Sequence, residues 1–216
     1  MASSPIDLVA NPGMIYLCTP IRDDLVGFVA SCIKGGVNIV QLREKNAEAK
    51  EVIVAAKELK KVCGELAVPF ILNDRVDLAL EVEADGCHLG QDDAPISLAR
   101  KILPKSSIVG LSTHSPVELE LGNQTDADYL SVGPIVATPT KPGRPGTTIE
   151  YLEYARKYST KPFFVTGGVS PESVENLVMA GARGFVVVRY LTESSNPESS
   201  ARGLRRAIDE AMAKLA

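Results

Sequence analysis

Short apolar runs alternate with longer amphipathic or alanine-rich stretches along the whole chain, and this alternation limits the fold more than any other feature. Strands are expected near Met14–Cys18, Asn38–Leu42, Pro69–Leu72, Gly86–Leu89, Ile108–Leu111, Tyr129–Val132, Phe163–Val165 and Gly184–Val188. Between them, helices are expected over Asp24–Lys34, Ala47–Leu66, Val76–Glu81, Pro95–Leu103, Pro116–Leu121, Ile149–Tyr158 and Pro171–Ala180, with a last one from Pro197 to the C-terminus. Strands that alternate with helices build βαβ units, whose crossovers place successive strands parallel in one sheet. Eight such units in 216 residues point to an α/β chain folded as a (β/α)8 TIM barrel with few insertions. A doubly wound open sheet is the alternative, because periodicity carries no information on closure.

A loose internal repeat supports the barrel. Glu83-Ala84-Asp85-Gly86-Cys87-His88-Leu89-Gly90 resembles Asp126-Ala127-Asp128-Tyr129-Leu130-Ser131-Val132-Gly133. Weaker copies stand at Gly36–Gln41 and Gly181–Val187. In each, a helix ends in a turn bearing Gly or Asp and a short buried strand follows. No boundary or linker divides the chain, so residues 1–216 read as a single domain with an N-terminal extension over 1–12.

Composition removes several function classes. A net charge of −4 argues against a general nucleic-acid binder, which carries a basic surplus. No apolar run is long enough to span a bilayer, and no secretory leader is visible at the start. Cys18, Cys32, Cys63 and Cys87 are widely spaced and read as free thiols, so a cytoplasmic setting is expected. The two histidines, His88 and His114, are too few for a histidine metal site. His88 sits in an apolar strand pattern and reads as a core histidine with its hydrogen bonds met. His114, near the predicted rim, is placed to line a pocket.

Polar residues gather just after the predicted strands, which in a (β/α)8 barrel is the face that carries the active site. Gln41, Arg43 and Lys45 alternate, so a continuing strand points all three to one side. Two cations and an amide there suit a phosphorylated ligand, although a solvated cluster in which Glu44 pairs with its neighbours accounts for them equally well. Asp74 and Asp93 follow successive strands, and Mg2+ takes one or two carboxylates together with water and phosphate oxygens. Each also stands where it could cap a helix. Ser112 follows the fifth strand. Thr138-Pro139-Thr140-Lys141 opens a Pro- and Gly-rich segment that reads as a long rim loop. Gly167-Gly168 ends the seventh strand, near where barrels often bind phosphate.

Taken in order, Gln41-Leu42-Arg43-Glu44-Lys45, Asn73-Asp74, His88-Leu89-Gly90-Gln91-Asp92-Asp93, Gly110-Leu111-Ser112, Thr138-Pro139-Thr140-Lys141 and Gly167-Gly168-Val169 resemble the thiamine-phosphate synthase family. The resemblance runs from about Ile15 to Glu210. It implies a transferase that joins a hydroxymethylpyrimidine diphosphate to a thiazole phosphate, with pyrophosphate as leaving group and Mg2+ as cofactor. By the same resemblance, Gln41, Leu42, Arg43, Glu44, Lys45, Asn73, Ser112 and Lys141 contact the pyrimidine diphosphate. Asp74 and Asp93 hold the metal. Thr138, Pro139, Thr140, Gly168, Val188 and Arg189 border the thiazole phosphate. Arg43, Lys45, Ser112 and Lys141 are the residues implied for catalysis, Ser112 by orienting the pyrimidine amino group.

Arg189 departs from the family pattern, in which many relatives carry a serine. Alternation along Phe185-Val186-Val187-Val188-Arg189 puts Phe185, Val187 and Arg189 on one side. It leaves Arg189 either paired with an acid such as Glu193 or turned to the rim near Gly168, and the second is preferred here. Small-molecule substrates are the partners expected, with no nucleic acid and no membrane, and a homo-oligomer stays open. A thiazole tautomerase, another phosphate-binding barrel isomerase and a non-catalytic binding barrel are the competing readings.

Overall fold

A computed structural model of the chain describes residues 11–137 and 146–215. Strands β1 (Met14–Thr19), β2 (Ile39–Leu42), β3 (Phe70–Asn73), β4 (Gly86–Leu89), β5 (Ile108–Thr113), β6 (Tyr129–Val132), β7 (Phe163–Val165) and β8 (Gly184–Val187) follow one another around a closed barrel. All neighbours are parallel, and β1 pairs with β2 on one side and β8 on the other, with Ile15 opposite Phe185. The sheet is therefore closed, and the open-sheet alternative falls.

Helices α1 (Leu25–Lys34), α2 (Ala49–Glu65), α3 (Val76–Glu81), α4 (Ile96–Ile102), α5 (Pro116–Asn123), α6 (Thr148–Tyr158) and α7 (Pro171–Ala180) form the crossovers. A short α8 (Arg189–Thr192) and a long α9 (Pro197–Ala213) follow β8. Their ends obey local chemistry. The Ser115 hydroxyl accepts from the Glu118 amide at the start of α5, which satisfies one of the orphan donors of a first turn. Gly181 closes α7 at φ +117°, a left-handed conformation that favours glycine.

Alternation along each strand sorts side chains between two apolar layers. Tyr16, Ile39, Ile71, Ile108, Tyr129 and Phe164 fill the lumen, with Tyr16 and Tyr129 each edge-on to Phe164 at 5.3 Å. Ile15, Leu17, Val40, Leu42, Leu72, Val187 and their neighbours face the helices instead. Each fully buried side chain of this kind stabilises the fold by about 1.5–3 kcal/mol through removal of apolar surface from water.

Two expectations need correction. The eighth strand was expected to run through Val188, but it ends at Val187. Val188 has φ −122° and ψ −91°, and Arg189 opens α8, which no periodic pattern announced. The alternation argument for Arg189 therefore fails: Phe185 and Val187 face the helix shell, whereas the turn at Val188 carries Arg189 to the rim.

Candidate active site

A cleft of about 640 Å³ opens at the carboxyl ends of the strands, large enough for a ligand of drug size. From β2 and the residues after it, Gln41, Arg43 and Lys45 line it. Leu42 does not, because it lies fully buried in the layer beneath the helices. Nor does Glu44, whose carboxylate accepts from the Asn46 amide at 3.1 Å. Of the five consecutive residues implied by resemblance, the pleat brings three side chains into the cleft and turns two away.

Asn73, Asp74, Asp93, Ser112, Gly168, Val188 and Arg189 also line the cleft. Thr138, Pro139, Thr140 and Lys141 lie outside the described residues; Val136 and Ala137, just before them, are part of the cleft wall. Gly167 and Gly168 have φ +89° and +77°, and a side chain at 168 would run into Val136. Arg189 is half exposed, with its guanidinium 4.0 Å from Glu193, which lines the cleft as well. The two alternatives weighed for this arginine, an acidic partner or a place at the rim, do not exclude each other in the structure.

Capping does not explain the two aspartates. Arg75 and Pro95, not Asp74 and Asp93, stand at the N-caps of α3 and α4. Asp74 adopts a left-handed φ of +63°, a conformation uncommon outside glycine, while its amide donates to the His88 carbonyl at 2.8 Å. Its carboxylate lies 3.2 Å from the Lys45 ammonium. Asp93 accepts the Gly90 amide at 2.6 Å. The Asp74 carboxyl is held above the usual carboxylate range, first by burial and then by its hydrogen bond with Asp93 and that group's charge, with Lys45 pulling the other way. Two carboxylates crowded together in a half-buried pocket favour a proton or a cation between them. Among the described residues no group of three or more His, Cys, Asp or Glu is placed to hold a metal. A pair suffices for Mg2+, which completes its shell with water and phosphate.

The cleft floor is a chain of buried hydrogen bonds. Cys18 Sγ donates to Gln41 Oε1 at 3.2 Å, and Gln41 Nε2 donates to the Tyr16 hydroxyl at 2.8 Å. The Tyr16 and Tyr129 hydroxyls meet at 2.8 Å. Tyr129 contacts His88 Nδ1 at 2.9 Å, and His88 Nε2 contacts Ser112 Oγ at 2.9 Å. Ser131 Oγ reaches Ser112 Oγ at 3.4 Å. His88 is thus the satisfied buried histidine that its strand pattern indicates, and it also faces the cleft. Burial pushes the hydroxyls of Tyr16 and Tyr129 well above the usual phenol value, so both stay protonated. His114 lines the cleft beyond Ser112, with Nδ1 2.8 Å from the Glu118 carboxylate.

Sequence reasoning passed over Tyr16, Cys18 and Ser131 as cleft residues. Their signal was available: Met14, Tyr16 and Cys18 share the period of two along β1. All four cysteines are buried, and none of them forms a disulfide among the described residues. Among the described residues no helix is long and apolar enough to cross a membrane.

Fold and cleft together define a (β/α)8 barrel with paired carboxylates, cations and a polar floor at the carboxyl ends of its strands. A family model described as thiamine monophosphate synthase matches residues 15–191, and the chain belongs to that family. It is 41% identical over 196 residues to a thiamine-phosphate synthase of Thermosynechococcus vestitus, covering 91% of this chain and 56% of that protein. It is 38% identical over 203 residues to one of Saccharopolyspora erythraea, covering 89% and 91%. The chain thus spans about half the length of several curated relatives and most of others. The thiamine phosphate pyrophosphorylase structure of Pyrococcus furiosus superposes with a TM-score of 0.84 at 28% identity, covering 94% of this chain and 99% of that one. A 3-hexulose-6-phosphate synthase structure shares the fold, with a TM-score of 0.71 at 16% identity.

Proposed function

We propose that the protein is a thiamine-phosphate synthase. It would condense 4-amino-2-methyl-5-hydroxymethylpyrimidine diphosphate with a thiazole phosphate and release pyrophosphate; with the thiazole carboxylate as substrate, the carboxylate would leave as well, as carbon dioxide. The observation that carries this reading is the Asp74–Asp93 pair beside Lys45, in one cleft with Arg43 and with the polar floor that includes Gln41 and Ser112. Charge for a diphosphate and hydrogen-bonding groups for a heterocycle stand in one cleft.

In the proposed reaction the methylene–oxygen bond breaks first, its electron pair leaving with pyrophosphate. The thiazole nitrogen then donates its lone pair to the pyrimidine methylene cation. Arg43, Lys45 and Lys141 meet negative charge that grows as the bond breaks, so their hydrogen bonds strengthen in the transition state. Asp74 and Asp93 would hold Mg2+, which when bound supplies further positive charge at the leaving group. A neutral ring nitrogen needs no general base. Gly168, Val188 and Arg189, with Thr138–Thr140, would border the thiazole phosphate.

The direct test is one incubation of the purified protein with Mg2+ and both substrates. Mass analysis should show thiamine phosphate and one pyrophosphate per turnover; no product with either thiazole form would end the reading. A second expectation follows for Arg189. Arg189→Ser should raise the thiazole-phosphate KM about tenfold, the size of one hydrogen bond to a charged group, and leave kcat and the pyrimidine KM nearly unchanged. An unaltered thiazole KM would assign Arg189 to its ion pair with Glu193 alone.

A further inference from the structure

The buried chain beneath the cleft has a direction, and that direction sets what the cleft offers. Gln41 Nε2 can only donate, so the Tyr16 oxygen accepts there. Among the described residues the Tyr16 hydroxyl is hydrogen-bonded to Gln41 and Tyr129, so its proton goes to the Tyr129 oxygen at 2.8 Å. The Tyr129 proton must turn the other way, to His88 Nδ1. A ring nitrogen that accepts is unprotonated, so the imidazole proton stands on Nε2 and is donated to Ser112 Oγ. Ser131 donates to the same oxygen. Both acceptor positions of Ser112 are thereby taken, and its own proton is left to be donated into the cleft. Among the described residues every buried side-chain nitrogen and oxygen has a partner, as this arrangement requires.

We propose that Tyr129 and His88 are positioning residues that fix Ser112 as a hydrogen-bond donor, directed at an acceptor nitrogen of the substrate ring rather than at its amino group. An aromatic amino group donates and does not accept, so a Ser112 oxygen already holding two donors has nothing to offer it. Ring nitrogens, which carry an in-plane lone pair, are the complementary partner. Gln41, at the other end, lines the same cleft. The arrangement is built into the barrel rather than added to it: Gly110 lies where any side chain would strike both the Tyr129 ring and His88 Nδ1. The two rings stack with centroids 5.5 Å apart and planes inclined by 22°. Which ligand Ser112 meets rests on the synthase reading; the polarity of the chain does not.

The test uses the full-length, ligand-free protein labelled with 15N-histidine, whose spectrum contains only two imidazoles. A His114→Gln sample assigns them. At neutral pH the His88 proton is expected on Nε2, with Nδ1 unprotonated. A proton on Nδ1, or on both nitrogens, overturns the proposal. Tyr129→Phe removes the donor to Nδ1, so the His88 tautomers should mix. The same variant should raise the pyrimidine-diphosphate KM roughly three- to tenfold, the usual size for one hydrogen bond, with the thiazole-phosphate KM unchanged. A variant that moves both constants, or neither, returns Tyr129 to a packing role and also overturns the proposal. Tyr16→Phe leaves Tyr129 free to donate to His88 and should keep the proton on Nε2. Should Tyr129→Phe not fold, the wild-type and Tyr16→Phe spectra decide. A wild-type protein that forms no thiamine phosphate would defeat the functional reading alone, because the tautomer is read without substrate.

Discussion

Asp93→Asn is expected to lower turnover by two to three orders of magnitude at saturating Mg2+ and substrates, the loss that follows removal of one preorganised charge from a transition state. Asparagine is the informative replacement. Its side-chain oxygen still accepts the Gly90 amide, now held by Asp93 at 2.6 Å, so the loop keeps its shape while the charge disappears. A second readout needs no catalysis: Mg2+ should raise the melting temperature of the wild-type protein, because a ligand that binds only the folded state stabilises it. The variant should lose most of that rise. Asp74, whose carboxyl is already held up by burial and by Asp93, should behave likewise. Full activity of Asp93→Asn in excess EDTA would remove both the metal and its ligands from the scheme.

Gly110→Ala should be among the most damaging single methyls in the barrel. Gly110 lies inside β5, and an added Cβ there would meet the Tyr129 ring, its hydroxyl and His88 Nδ1 at distances no real Cβ shows. None of these is the far end of a flexible chain. Tyr129 is fully buried and hydrogen-bonded at both sides, so relief requires the strand itself to move. Overpacking of this kind costs about 3 kcal/mol, which for a chain of this size lowers the melting temperature by about 6–12 °C. Gly27, in α1 with open space around its Cβ position, is the internal comparison. Alanine there should be neutral or stabilising by up to about 1 kcal/mol. Equal melting temperatures for Gly110→Ala and the wild type would show that the lumen is looser than its contacts imply.

The eight strands were legible because a parallel sheet buried on both faces reads as unbroken apolar runs. That same property hid the lumen. Tyr16 stands between Ile15 and Leu17, and although a period of two groups Met14, Tyr16 and Cys18 along β1, it does not say whether that set faces the lumen or the helices. Where a strand runs on into charged residues, the period became visible: Gln41, Arg43 and Lys45 separated correctly from Leu42 and Glu44. The motif as a contiguous run was coarser than the pleat. Asp74 and Asp93 were ambiguous because the residues before a helix are both capping sites and rim sites. Only the positions of Arg75 and Pro95 at the caps decided between them. The alternation argument for Arg189 failed for a simple reason: alternation holds only while the strand lasts, and a helix of four residues leaves no periodic trace.

The aromatic plug has a consequence for traffic. Tyr16, Tyr129 and Phe164 pack edge-on across the lumen beneath the polar floor, and all three are buried. Among the described residues this layer fills the lumen below the cleft. On the synthase reading, whatever settles deepest against Gln41 and Ser112 should therefore come in from the rim ahead of its co-substrate. Anything still lying above it should then have to leave first.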